Sequence, residues 1–175
     1  KVEKTFRIEN PASMRDFKHL VVNIPLEHLQ ISNEIISYAE ALLDVTLNQN
    51  IYITLTDHIS FAIERSRKNT LFSYPFKWEI QQFYPKEYQV GEYALDLFHK
   101  KLGAQFTDDE AAIIAMHLVN AEYNLSMPET VRVTAMMHGI IAIVEQCYGA
   151  QLNRDSIHWK RFLAHVKYMV VRLLQ

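Results

Sequence analysis

Apolar residues along this chain recur mainly at intervals of three and four, the spacing of one helix face. The exception opens the chain. In "KVEKTFRIEN", Val2, Phe6 and Ile8 fall on one side of a period-two pattern that suits a strand. A short helix is then predicted over residues 13–23, ended by Pro25, which can itself begin the next. In that next run Leu29, Ile31, Ile35, Tyr38, Ala39, Leu42 and Leu43 repeat at helical spacing as far as Val45. A third helix holds "YITLTDHISFAIERSRK", with Leu55, Ile59, Ala62 and Ile63 on its apolar side and β-branched residues blurring its start.

Further along, "YPFKWEIQQFYP" reads as a short aromatic helix bounded by prolines, and a longer helix over residues 86–101 stops at Gly103. "TDDEAAIIAMHLVNAEYN" opens with Thr107 and Glu110 at capping-box spacing, and Asp108 and Asp109 favour the positive end of the helix dipole. "NLSMPET" around Pro128 reads as a linker, followed by helices over roughly 129–148 and 155–174. With four glycines and no low-complexity segment, the expectation is an all-α chain of 175 residues: one helical bundle of five to six helices, plus a partial second unit. The chain starts at Lys1 and stops in mid-pattern at "YMVVRLLQ", so an excised fragment is expected.

Composition narrows the function. With 49% hydrophobic and 22% charged residues the chain can bury a core, and a net charge of −2 disfavours a surface that grips a phosphate backbone. The single Cys147 excludes an intramolecular disulfide and a cysteine zinc cluster, which suits a reducing cytosol. No apolar run reaches membrane length. Gly-rich phosphate loops, HExxH and GxSxG are absent from the sequence, so no enzyme and no cofactor is expected.

The candidate chemistry therefore rests on eight histidines. His19, His28, His99 and His138 sit among ordinary helix neighbours, and packing or capping accounts for His158 beside Trp159. His58 differs: Asp57 precedes it, and Arg65 follows seven residues later on the same helical face as a cation able to receive an anion. Neighbouring helix residues diverge by about 100°, so Asp57 suits a histidine on another helix better than His58 itself. His117 lies in the apolar "IIAMHLVNAE", where an uncharged core histidine is the default reading. His165 has Arg161 four residues before it and Arg172 seven after; this is either a phosphate-receiving face or a solvated basic one.

The wording "IYITLTDHISFAIER", "FKWEIQQFYPKEYQVGEYAL", "DDEAAIIAMHLVNAE" and "SIHWKRFLAHVKYMVVRL" resembles the PTS regulation domains of the BglG/SacY/LicT-type transcriptional antiterminators over nearly the whole chain. The resemblance implies the end of an RNA-binding domain at 1–10, a complete first regulation domain at 11–125 and the start of a second, truncated one at 126–175. It makes His58 and His117 the phosphoryl acceptors of the first domain and His165 the first acceptor of the second, with Asp57, Arg65, Arg161 and Arg172 as supporting residues.

It further implies a cytoplasmic homodimer phosphorylated by HPr and a sugar-specific enzyme II. Such a regulator acts on an RNA hairpin only through its missing N-terminal domain, at an operon for sugar use, with a β-glucoside as inducer. Asp57, His58 and His117 are expected to converge, Asp57 supplying a carboxylate to His117. Dimerisation is also expected from apolar stretches such as "AAIIAMHLV" and "GIIAIVEQ". Two alternatives stand beside this: the same kind of domain in a DNA-binding activator, which "EKTFRI" disfavours, and a metal site built from His58, Asp57 and His117.

Overall fold

Seven helices and no strand make up the described residues, which in this computed structural model are 24–174 except 69, 71, 72 and 150. They are α1 (Leu26–Leu43), α2 (Ile51–Arg67), α3 (Lys77–Phe83), α4 (Pro85–Leu102), α5 (Asp108–Tyr123), α6 (Met127–Tyr148) and α7 (Ile157–Leu174). The all-α expectation holds. The expected opening strand and the helix at 13–23 lie outside the described residues.

Helix ends follow local chemistry. Gly103 stops α4 at φ 61° and Gly149 stops α6 at φ 64°; Asp44 and Asn124 take the same left-handed turn after α1 and α5. The expected capping box at Thr107 and Glu110 does not form: Thr107 is the N-cap of α5 but makes no side-chain cap bond. The capping box lies instead at Ser126 and Glu129, where the Ser126 N–H and hydroxyl both donate to Glu129 Oε2 at 2.7 Å. The stretch expected to be a linker is thus a helix start, with Pro128 in the first turn, where its missing N–H costs nothing.

Two cores share one central helix. Ile31 and Ile35 of α1, Leu55 and Ile59 of α2 and Phe98 of α4 pack with Ile114 and Leu118 of α5. On the other side of α5, Ala111, Ala112, Ala115 and Met116 meet Ile80 and Phe83 of α3, Met137 of α6 and Leu163 of α7. Most of the apolar run "AAIIAMHLV" is therefore used within the chain itself, while Ile113 is half-buried. In "GIIAIVEQ", Ile141 is buried and Ile143 is exposed.

Helices α4 and α5 approach closely at Gly91, where a Cβ would stand 2.2 Å from the Ala111 carbonyl oxygen. Only glycine fits there. No helix among the described residues is long and apolar enough to cross a membrane.

Candidate functional site

Helices α2 and α5 pack with a matched spacing. His58 and Arg65 stand seven residues apart on α2; Glu110 and His117 stand seven apart on α5. Seven residues are two turns, roughly 10 Å of rise, and return a side chain to the same face. The helices run antiparallel here, so His58 meets His117 and Arg65 meets Glu110. The rings of His58 and His117 lie 4.8 Å apart between centroids, tilted by 35°.

A carboxylate joins the two levels. Glu110 Oε1 lies 2.6 Å from His58 Nε2, and its Oε2 accepts from Arg65 Nη2 at 2.7 Å. The first contact is close but out of line for a hydrogen bond, and neither atom has another such partner. The Glu110 side chain is 5% exposed, against 12% for His58 and 17% for Arg65. A charge this buried is retained only when paired, and Arg65 does so with a charge-assisted bond. The Arg65 guanidinium also stacks over Phe61, 4.9 Å from the ring centre.

His117 has a different electrostatic setting. Burial, with the neighbouring His58 adding to it, pushes its ring down to about 3. The ring is neutral throughout the physiological range, with a nitrogen lone pair available.

Two clefts border the site. One, of about 550 Å³, is lined by Arg65, Ser66, Arg67, Gln105, Thr107 and Glu110. The other, of about 570 Å³, is lined by Thr54, His117, Asn120, Asn124 and Ser126 among others.

His58, Arg65 and His117 come together as the sequence suggested. Asp57 does not: it is exposed, because on α2 it points about 100° away from His58 and from the α5 contact. The carboxylate at the site is Glu110 instead, and it lies against His58, not against His117 as was expected of Asp57. Sequence reasoning missed it by assigning it to a helix cap; the signal that would have found it is the pairing of His58–Arg65 with Glu110–His117 at equal spacing. His165, Arg161 and Arg172 are exposed along one stripe of α7, apart from this site. The alternative of a metal site loses its carboxylate, since Asp57 is remote and Glu110 is engaged by Arg65. Among the described residues no group of three or more His, Cys, Asp and Glu converges as a ligand set.

Comparison with known proteins gives a consistent result. The PRD domain family matches residues 33–121. The transcription antiterminator LicT of Bacillus subtilis (strain 168) is 39% identical over 173 residues, covering 99% of this chain and 62% of that protein. A beta-glucoside operon antiterminator of Dickeya chrysanthemi is 36% identical, covering 99% of this chain and 61% of that protein. The chain thus spans under two thirds of the length of these curated relatives. The crystal structure of GlcT CAT-PRDI superimposes with a TM-score of 0.62 at 32% identity, over 67% of this chain and 70% of that one.

Proposed function

The chain belongs to the PRD domain family and is a regulatory domain of the antiterminator type; on that premise we propose that it is a phosphorylation-controlled switch. In this reading the sugar phosphotransferase system places phosphoryl groups on His58 and His117, with His165 as a further acceptor. The observation that carries it is the close approach of the His58 and His117 rings, 4.8 Å apart, beside an arginine paired with a buried carboxylate.

Physical chemistry supports the assignment. A neutral imidazole is a competent nucleophile near physiological pH, and His117 is neutral there. Phosphorylation adds close to two negative charges to a packed helix contact, enough to repack α2 against α5 through repulsion and new arginine contacts. The donors are HPr and a sugar-specific enzyme II, and the site reports through a homodimer to an RNA-binding domain that reads a hairpin. The name of the Dickeya chrysanthemi relative favours a β-glucoside operon. The first regulation domain runs to about residue 125, and the second begins at 126, where the break between α5 and α6 falls. The whole acts in the cytoplasm.

The test is a charge substitution read in a terminator-reporter assay with the full-length protein. His58→Asp or His117→Asp adds a permanent negative charge and is expected to hold antitermination off. His58→Ala or His117→Ala removes the acceptor without charge and is expected to leave it on without sugar. Loss of activity in both sets, together with loss of soluble protein, would mark the histidines as structural.

A further inference from the structure

Glu110 is more than a structural partner of Arg65. It is almost wholly buried, it sits in the first turn of α5, and its Oε1 lies 2.6 Å from His58 Nε2, a close contact in which neither atom has a hydrogen-bond partner. Nε2 itself is shut off from solvent, so the exposed part of the His58 ring lies on its other atoms. These two facts distinguish the ring's nitrogens: Nε2 is closed against a carboxylate, which leaves Nδ1 as the nitrogen not so enclosed.

We propose that Glu110 is a positioning residue for phosphoryl transfer to His58, holding the Nε2 proton so that Nδ1 carries the lone pair and receives the phosphoryl group. The proposal rests on the phosphoacceptor reading above and deepens it. With the ring neutral, the proton lies on Nε2 against Glu110 Oε1, a carboxylate–histidine arrangement that fixes the tautomer. The Nδ1 lone pair attacks phosphorus of an N- or S-phosphorylated protein donor. The new N–P bond forms as the donor's bond to phosphorus breaks, and that electron pair returns to the donor atom. The ring proton stays on Nε2, so the phosphorylated ring gains a positive charge that the Glu110 carboxylate neutralises. Arg65, donating to Oε2 at 2.7 Å, fixes the carboxylate in place beside the ring.

Substituting the acid separates charge from shape. Glu110→Gln keeps an acceptor beside Nε2 but cannot balance the ring's charge; Glu110→Ala removes both. The experiment phosphorylates the full-length protein, wild type and both variants, with phosphoenolpyruvate, enzyme I, HPr and the β-glucoside enzyme II. It follows phosphate on His58 by peptide mapping and assigns the bonded nitrogen by 15N and 31P NMR, with folding checked by circular dichroism.

In the wild type the phosphate is expected on Nδ1. A folded Glu110→Gln protein is expected to accept it about tenfold or more slowly, and Glu110→Ala to give a mixture of isomers if folded. Phosphate on Nε2 in the wild type, or an unchanged rate in folded Glu110→Gln, would overturn the role of Glu110 while leaving His58 an acceptor. No phosphate on wild-type His58 would overturn the phosphoacceptor reading as well.

Discussion

At the scale of single residues, the two histidines differ although their rings nearly touch. His58 stands beside a carboxylate and a guanidinium, whereas His117 is set among apolar neighbours that favour its neutral form. This difference has a consequence for stability. Because the folded value for His117 is depressed to about 3 from an ordinary 6.5, the stability tied to its neutral burial is complete above pH 6.5 and is lost as pH falls toward 3. Urea unfolding at pH 7.5 and at pH 4.5 measures it. The wild type is expected to lose more stability between these pH values than His117→Asn, which has no ring to protonate; equal losses would contradict the assignment. The residue types and the helix faces of His58, Arg65 and His117 were legible in the sequence. The identity of the carboxylate was not, because Glu110 at three residues from Thr107 satisfies a local capping rule, while its actual partners lie 45 and 52 positions earlier in the chain, at Arg65 and His58.

At the scale of elements, every described helix was expected from the sequence, the long ones through the apolar repeat of a face buried against a core and the short α3 through the prolines that bound it. The ends were less legible. "NLSMPET" holds the breakers of a linker, yet Ser126, Pro128 and Glu129 occupy N-cap, first-turn and N3 positions of α6, where the same residue types start a helix. A close helix crossing leaves even less trace: nothing local marks Gly91 as the place where α4 meets the backbone of α5. There a methyl group would lie 2.2 Å from the Ala111 carbonyl oxygen, and backbone cannot rotate aside as a side chain does. Gly91→Ala is therefore expected to push the helices apart and cost about 1–3 kcal/mol or more, as overpacking does. A lowered midpoint in urea unfolding is the expected result, and an unchanged midpoint would show that the crossing yields freely.

At the scale of the whole molecule, α5 ties the candidate site to the rest of the fold. One side of it carries Glu110 and His117 toward α2, and the other packs its alanines against α3, α6 and α7. Helix α7 is further fixed by Lys167, whose ammonium lies 4.4 Å over the Tyr84 ring and 5.9 Å from that of Tyr123. Burial pushes Lys167 down while Glu87 and Glu122 pull it up, and burial pushes Glu122 up, with Glu87 adding to it. A shift of α5 at the histidines thus has packed neighbours on which to act, while Ile143 of α6 and Tyr168 and Leu173 of α7 remain exposed on the outside. Long-range connections of this kind, unlike helix periodicity, have no local sequence pattern. The central claim is that the paired rings accept phosphate. Its most direct test is to incubate the protein with phosphoenolpyruvate, enzyme I, HPr and the β-glucoside enzyme II and to map acid-labile phosphate by peptide. The account predicts phosphate on His58 or His117 that disappears in the His58→Ala, His117→Ala double variant; a folded wild-type protein with neither histidine labelled would contradict it.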